Sequence, residues 1–387
     1  MGDEGHVTAR EVAPHSKGYH VSTDIGAPQD APEPAVDPAR VEEFAGKLFD
    51  IFTAALVSSM IDLGHRTGLL EALTAGSGTS QEIADRAGLN ERYVRECLGA
   101  LVTADIVNFD SVQKSYSMPV EHAVCLTGAG SMNLAPISLA ATLLTQHVPG
   151  VARVFKEGGG VPYEEFRPEF TQVMDGLSRG LMDGQLLDGI LPLSPSLPAR
   201  LTEGIRCSDV GCGTGHALNL MARAYPKSTF VGYDLAEDAI AQARAEAAEY
   251  GLSNITFEPL DATRLPSDPP FDVVFAFDAI HDQVDPSTVL KRIHDALKPG
   301  GEFVMMDINA NSALEDNIGK PLAPFLYSFS TLHCMTVSLA HGGAGLGTVW
   351  GEQLAKQMLS DAGFIDIEVH DVPDDPMDSL YIARKPA

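Results

Sequence analysis

The chain has 387 residues, a hydrophobic fraction of 44% and a formal net charge of −27. That length allows two or three domains, and the apolar fraction is sufficient for a sizeable core. The large negative charge disfavours general binding to nucleic acids or anionic membranes, because phosphate groups need basic partners. The five cysteines are scattered without a Cys-x-x-Cys pair, which predicts reduced thiols, no metal site and a cytoplasmic location.

The first 38 residues contain five prolines and almost no large apolar side chains. Such a segment cannot bury enough surface to offset the entropy of ordering, so a disordered tail is predicted. Apolar residues then recur at helical spacing from Val41 to Met60. This pattern predicts a long amphipathic helix that ends near Gly64, and its charged residues argue against a membrane span.

The region 39–125 has the pattern of a winged helix-turn-helix domain. A capping box at Thr79 predicts the start of one helix, Asn90 is expected to cap the next, and residues 106–116 resemble a β-wing. Between residues 41 and 125 there are six Lys or Arg against twelve Asp or Glu. A domain that reads DNA needs a basic face, so this balance argues against DNA binding.

The region 126–194 reads as further helices that link two domains. One helix is predicted from Pro168 to about Ile190, and its glycines repeat every four residues at Gly176, Gly180 and Gly184. Glycine is costly in a helix interior, so the repeat needs an explanation. Either the glycines allow close helix packing, or they form a groove that leaves room for a ligand.

From about Leu201 onwards, strands alternate with helices, which predicts an α/β domain with a parallel sheet. The first strand, Ile205 to Val210, contains Asp209 and enters a turn with glycines at 211, 213 and 215. Such a turn brings backbone amides close to a ligand. A second strand ends at Asp234, whose carboxylate can accept both hydroxyls of a ribose. His216 stands where a dinucleotide motif has its last glycine, which disfavours a dehydrogenase.

The glycine turn and four later motifs resemble class I S-adenosylmethionine-dependent methyltransferases over roughly residues 195–387. This resemblance implies an α/β, Rossmann-like fold with a seven-stranded sheet, in which one strand of the terminal pair is antiparallel. It also implies the cofactor S-adenosyl-L-methionine, with Asp261 at the adenine amino group. The residues expected to hold it cluster at strand ends: Asp209, Gly211, Gly213, Gly215, Asp234, Leu235, Asp261, Ala262, Phe277 and Asp278.

The fourth strand of this domain leads into His281-Asp282, which resembles the His-Asp of small-molecule O-methyltransferases. In that family the histidine removes a hydroxyl proton, so the resemblance makes His281 the catalytic base. A cofactor contact without a base role is the alternative. The usual tryptophan after His-Asp is replaced by Gln283, which leaves the fit of the acceptor open. Asp307, at the end of the next strand, is the candidate to orient the His281 ring.

An insertion at 309–350 contains Phe325, Tyr327, Phe329 and Met335. In this fold such insertions cover the acceptor pocket, and these side chains suit an apolar or aromatic acceptor. They could equally pack against the linker helices. The candidates for acceptor binding are Met174, Phe329, His333 and Met335. His333 is also a second possible base, and no further ligands stand at metal-like spacing beside it.

The sequence therefore predicts an S-adenosylmethionine-dependent methyltransferase that acts on a hydroxyl of a small apolar or aromatic molecule. The expected domains are a disordered tail (1–38), a winged-helix dimerisation domain (39–125), a helical linker that covers the substrate (126–194) and a cofactor-binding domain (195–387). A homodimer is expected, with no nucleic-acid or membrane partner. The alternatives are an N- or C-methyltransferase of the same fold, or a winged-helix regulator that uses the cofactor as a signal.

Overall fold

A computed structural model describes residues 36–130 and 132–387. Most of the predicted disordered tail lies outside these residues. The chain divides into two compact units, residues 1–51 and 52–387, and the first helix crosses the boundary between them.

The predicted long helix is confirmed as α1 (Pro38–Arg66). In its second half, the large apolar side chains of Phe52, Leu56 and Leu63 are 58%, 70% and 48% exposed. Among the described residues, α1 is also the one helix that is long and apolar enough to cross a membrane, by length and composition alone. Helices of water-soluble proteins meet the same criterion, so it decides nothing by itself.

The winged helix-turn-helix pattern is present after α1. The Thr79 side chain and Glu82 form the predicted capping box, and the Asn90 side chain accepts a hydrogen bond from the Arg92 amide. Val94, Leu98 and Leu101 are buried, as the helical spacing predicts. The elements are α2 (Leu69–Thr74), α3 (Ser80–Ala87), α4 (Glu91–Thr103) and the antiparallel pair β1 (Asn108–Asp110) and β2 (Ser115–Ser117).

A series of helices connects the wing to the sheet. Residues 135–157 form two helices, with Pro149 in the first turn of the second. The helix predicted from Pro168 to Ile190 is an α-helix followed by a π-helical turn over Leu186–Ile190. These helices are α5 (Val120–Leu126), α6 (Ala135–Gln146), α7 (Val148–Glu157), α8 (Glu169–Gln185) and α9 (Leu197–Glu203).

Of the three glycines of α8, Gly180 is the one that packs against neighbouring backbone. A Cβ on Gly180 would stand 3.1 Å from the carbonyl oxygen of Gly130 and 3.3 Å from that of Ala129, so backbone approaches the helix here. A Cβ on Gly176 would only touch Pro136, and one on Gly184 would meet nothing within 4 Å. The groove hypothesis is therefore wrong for Gly180, because the chain itself fills the space.

The remaining elements form a seven-stranded sheet in the order β5-β4-β3-β6-β7-β9-β8, with β9 antiparallel to both neighbours. This confirms the predicted α/β methyltransferase sheet. The strands are β3 (Arg206–Val210), β4 (Thr229–Asp234), β5 (Ile255–Pro259), β6 (Phe271–Phe277), β7 (Leu297–Ile308), β8 (Ile365–Val372) and β9 (Asp375–Arg384). The helices are α10 (His216–Ala224), α11 (Glu237–Glu249), α12 (Pro286–Ala296), α13 (Ala323–Leu332), α14 (Cys334–Ala340) and α15 (Gly351–Ala362).

The sheet has an apolar cluster on each face. Cys207, Phe275 and Val304 belong to one cluster, while Val274 and Phe303 belong to the other. Strand order reverses between β3 and β6, because β3 leads outward to β4 on one side and pairs with β6 on the other. A crevice therefore opens at the carboxyl ends of these two strands, where ligands of open α/β sheets bind.

The packing role of Gly180 can be tested against Gly184 on the same helix. Gly184→Ala is expected to stabilise the protein by about 1 kcal/mol, because Ala is the better helix former and the site is open. Gly180→Ala gains the same propensity but must displace backbone, so it should be about 1–3 kcal/mol less stable than Gly184→Ala. Urea denaturation measures the difference, and equal stabilities would contradict the packing role.

Candidate functional site

The loop after β3 has a backbone that requires glycine. Gly211 has φ 77° and Gly215 has φ 72°. A Cβ on Gly211 would collide with the Ala279 side chain, and a Cβ on Gly215 would stand 2.5 Å from the Phe257 ring. The Gly213 amide donates to Asp234 Oδ2 at 2.8 Å, so the loop is fixed to the end of β4. The loop therefore presents a rigid wall to the crevice.

A cavity of about 290 Å³ occupies this crevice. Nine of the ten residues expected to hold the cofactor line this cavity. The exception is Gly215, which packs against Phe257 and Ala243 instead. These nine are Asp209, Gly211, Gly213, Asp234, Leu235, Asp261, Ala262, Phe277 and Asp278. The cavity also has walls that the sequence did not indicate, notably Tyr163 and Phe170 from the linker and Val337 and His341 from the insertion.

Asp209 lines the cavity and has a buried carboxyl oxygen that lacks a hydrogen-bond partner among the described residues. The residue is 2% exposed, and its Oδ1 accepts no hydrogen bond from the residues that the structure describes. Burial, followed by the charge of Asp234, raises the pKa of Asp209 to about 8. A buried acceptor without a donor costs free energy, and a cationic ligand group would remove that cost. The site thus fits the ammonium group of S-adenosylmethionine.

Asp234 and Asp261 each hold local structure and still face the cavity. Asp234 accepts backbone hydrogen bonds from Gly213 and Ala236, at 2.8 and 2.7 Å, and burial raises its pKa. Asp261 accepts from the amide and hydroxyl of Thr263 at 2.9 and 2.7 Å. Each carboxylate has lone pairs left over for ligand hydroxyl or amino groups.

His281 lies just behind the cavity wall, which is formed here by Ala279, Asp282 and Gln283. It is 3% exposed, and its Nδ1 lies 2.8 Å from Oδ1 of Asp307. Its Nε2 lies 3.3 Å from Oδ1 of Asp282. Burial lowers the pKa of His281, but Asp307 and Asp282 outweigh it and raise that pKa well above 6.5. Asp307 therefore stands where the sequence placed an orienting carboxylate.

Asp307 is itself held by a residue that the sequence did not indicate. Its Oδ1 accepts from the Trp350 indole at 2.9 Å and from the Ile308 amide at 2.9 Å. Trp350 is the one tryptophan of the chain and closes the insertion. A single tryptophan in a chain suggests a specific structural role. Its partner Asp307 is 43 positions away, however, so sequence spacing could not predict the contact.

Only one of the four acceptor-binding candidates, Met174, lines the cavity. His333 is fully buried, and its ring stacks on Phe170 at 3.6 Å between centroids. Burial lowers the pKa of His333 to about 4, so the ring is neutral at physiological pH. Phe329 packs in the same apolar cluster. Since Phe329, His333 and Met335 do not line the cavity, the insertion packs largely against the linker helices.

One group of side chains has the chemistry of metal ligands. Ligand atoms of His281, Asp282 and Cys334 lie within 4.8 Å of one another. The sequence predicted no metal site, since only distant segments of the chain bring these residues together. The His281 ring also contacts Asp307 through Nδ1, so this group and Asp307 lie in one buried polar cluster.

Two family models match separate parts of the chain. Residues 201–369 match a methyltransferase domain, and residues 55–128 match the Rv2258c-like winged HTH domain. Among curated proteins, the ubiquinone biosynthesis O-methyltransferase of Paracidovorax citrulli is 31% identical over 33% of this chain and 49% of its own length. The S-adenosyl-L-methionine-dependent Diels-Alderase iccD of Talaromyces variabilis is 27% identical over 45% of this chain and 58% of its own length. The chain thus spans about half the length of the curated relatives it matches.

Solved structures match over nearly the whole chain. Mitomycin 7-O-methyltransferase MmcR is 17% identical, covers 90% of this chain and 100% of its own, and has a TM-score of 0.66. Human N-acetylserotonin methyltransferase, solved with S-adenosylmethionine, is 18% identical, covers 92% of this chain and 100% of its own, and has a TM-score of 0.63. At such identities the likeness concerns the fold. Residues 201–369 thus match a methyltransferase domain, residues 55–128 match a winged HTH domain, and most of the chain has the fold of these solved methyltransferases.

Proposed function

We propose that this protein methylates a hydroxyl group of a small apolar or aromatic molecule. When bound, S-adenosylmethionine supplies a methyl group on a positively charged sulfur, which is open to attack by an oxygen lone pair. The observation that carries the proposal is the contact between His281 and Asp307 beside the cavity of the glycine loop. A histidine held by a carboxylate at this place is suited to remove the hydroxyl proton.

The proton transfer follows from the bonds around His281. We assign the Nδ1 proton to the contact with Asp307, which leaves Nε2 as the acceptor of the hydroxyl proton. Asp307 is fixed by Trp350 and the Ile308 amide, so the ring has little freedom to turn. Nε2 of His281 would take the hydroxyl proton while the acceptor oxygen receives the methyl group of the bound cofactor, which would leave as S-adenosylhomocysteine. Much of the rate would come from holding the two reacting atoms in line.

The acceptor class follows from the wall opposite the glycine loop. Tyr163, Phe170, Met174 and Val337 give this wall an apolar and aromatic character. Burial raises the pKa of Tyr163 to about 12, so its hydroxyl stays protonated and can donate a hydrogen bond. An apolar or aromatic molecule with one reactive hydroxyl fits these features.

The cofactor residues are assigned by their positions around the cavity. We infer that Asp209 binds the ammonium group, because its buried oxygen has no partner among the described residues. Asp234, at the end of β4, is assigned to the ribose hydroxyls and Asp261 to the adenine amino group, with Ala262 beside the ring. The common cavity of these residues supports the assignment.

The winged domain is assigned to dimerisation in a cytoplasmic protein. In α4, Arg92 pairs with Glu96 at 2.5 Å and Arg95 with Glu91 at 3.2 Å, so the basic side chains of the would-be recognition helix are neutralised within it. DNA binding would need these groups free. The exposed apolar side chains of α1 instead suit a second copy of the chain.

The homodimer is tested by placing charge on the apolar stripe of α1. Phe52→Asp together with Leu56→Asp should convert a dimer of the wild-type chain into a monomer, because unpaired carboxylates oppose burial of the stripe. Val112→Asp is the control, since Val112 is 89% exposed in the wing. Light scattering coupled to size exclusion measures the mass, and a wild-type monomer would contradict the proposal.

The base role of His281 predicts a particular pH dependence. A base acts only when unprotonated, and the pKa of His281 is raised above 6.5, so the methyl-transfer rate should still rise with pH above 6.5. Asp282→Asn removes one of the charges that raise this pKa and should move the rise to lower pH. His281→Ala should lower kcat about a hundredfold or more.

Transfer is measured with methyl-labelled S-adenosylmethionine and an acceptor found by screening small phenols and alcohols. Cofactor affinity, measured by calorimetry, is the control and should stay within about twofold in His281→Ala. Near-normal turnover of His281→Ala at saturating acceptor would contradict the base role and leave His281 as a structural residue.

The role of Asp209 predicts proton release on binding. Its pKa is raised to about 8 without ligand, so the carboxyl is largely protonated at pH 7. An ammonium group favours the carboxylate, so binding of S-adenosylhomocysteine at pH 7 should release close to one proton, and its affinity should rise with pH up to about 8. Calorimetry in buffers of different ionisation enthalpy measures this. Equal release by Asp209→Asn would contradict the assignment.

A further inference from the structure

The linker helix α8 reaches the cofactor cavity with a charged side chain that the methyltransferase pattern does not include. Asp175 lines the cavity beside Thr214 of the glycine loop, and the Thr214 hydroxyl donates to Asp175 Oδ1 at 2.5 Å. The Asp175 side chain is 22% exposed. Thus a carboxylate from outside the matched methyltransferase domain, residues 201–369, stands against the loop that holds the amino-acid end of the cofactor.

Asp175 is held in position from one side by an arginine. Arg179, one turn further along α8, donates from Nε to Oδ2 at 2.9 Å and from Nη2 to Oδ1 at 2.8 Å. This two-pronged contact fixes the plane of the carboxylate. Arg179 also donates from Nη1 to Glu246 Oε1 of α11 at 2.8 Å. Arg179 therefore fixes the position of the Asp175 carboxylate and links it to α11.

His216 explains why the loop lacks a final glycine. Its ring is 6% exposed, with Nδ1 2.9 Å from Glu246 and Nε2 2.9 Å from Asp183 of α8. Glycine at this position could not make either contact. His216 thus ties the start of α10 to both α8 and α11, and it fastens α8 against the loop.

The charge of the cavity decides which part of the cofactor Asp175 contacts. Seven Asp or Glu residues line the cavity, and no Lys or Arg lines it among the described residues. The amino-acid end of S-adenosylmethionine carries one ammonium and one carboxylate. A carboxylate would be repelled at Asp175, while the start of α10 offers backbone amides that suit it. The ammonium has three N–H donors, so it can engage Asp209 and a second carboxylate together.

We propose that Asp175 is a ligand of the cofactor's ammonium group, so that α8 completes the cofactor site from outside the methyltransferase domain. Arg179 and His216 are its positioning residues. The proposal rests on the proposed use of S-adenosylmethionine and adds that the linker takes part in cofactor binding, besides bordering the acceptor.

Two ligands separate this role from a merely structural one. S-adenosylhomocysteine carries the amino-acid end, whereas 5′-methylthioadenosine has the same nucleoside without it. Asp175→Asn keeps the shape but loses the charge, and it should weaken S-adenosylhomocysteine about tenfold or more while leaving 5′-methylthioadenosine within about twofold. Glu169→Gln, at the exposed start of α8, is the control for loss of a carboxylate and should change neither affinity.

Calorimetry with the full chain gives both affinities. Selective loss of S-adenosylhomocysteine in Asp175→Asn supports the proposal. Unchanged affinity, or an equal loss of both ligands, overturns it and leaves Asp175 as a residue that only shapes the loop. If the wild-type chain bound 5′-methylthioadenosine and S-adenosylhomocysteine equally, the ammonium site as a whole would be wrong. If the wild-type chain bound neither ligand, the proposed use of S-adenosylmethionine would be wrong, and the role of Asp175 would be wrong with it.

Discussion

The arrangement around the proposed base His281 depends on one buried carboxylate. Asp307 is fully buried at the end of β7, and its Oδ1 meets the His281 ring, the Trp350 indole and the Ile308 amide. A buried carboxylate is costly without donors, and these three groups stabilise Oδ1, while Oδ2 has no partner among the described residues. The contacts of Oδ1 bring Trp350, at the end of the insertion, and His281, after β6, together at the end of β7. The position of the proposed base is therefore tied to this carboxylate.

The cofactor side depends on a different constraint, the close approach of backbone at the end of β3. Side chains at positions 211 and 215 would overlap Ala279 and Phe257. The loop can therefore lie this close to these two residues only if both positions are glycine. The low loop leaves room for a ligand between the sheet and α8. The contacts of Arg179 and His216 then fix α8 across that space. Residues of the linker and of the sheet domain thus line one cavity.

The sequence predicted those parts of the structure that local chemistry decides. The capping box at Thr79, the cap at Asn90 and the glycine loop all follow from residues close in sequence, and the resemblance to methyltransferases implied the seven-stranded sheet. The lining of the cavity did not follow, because it depends on how distant segments pack. Phe329 and His333 were expected in the acceptor site but join the aromatic cluster of the linker instead.

The residues that the sequence missed are likewise tertiary. Trp350 and Asp307 are 43 positions apart, and Asp175 lies 39 positions before Thr214. No periodicity or spacing rule connects such pairs. In contrast, His216 was visible as a departure from the dinucleotide motif, and the structure gives that departure a physical cause in its two carboxylate partners.

The central claim is that this crevice binds S-adenosylmethionine rather than a dinucleotide. Calorimetry of the full chain with S-adenosylmethionine and, separately, with NAD tests it most directly. We expect one equivalent of S-adenosylmethionine to bind and no heat of binding for NAD, because no Lys or Arg among the described residues lines the cavity to receive phosphates. Binding of NAD without binding of S-adenosylmethionine would contradict the account.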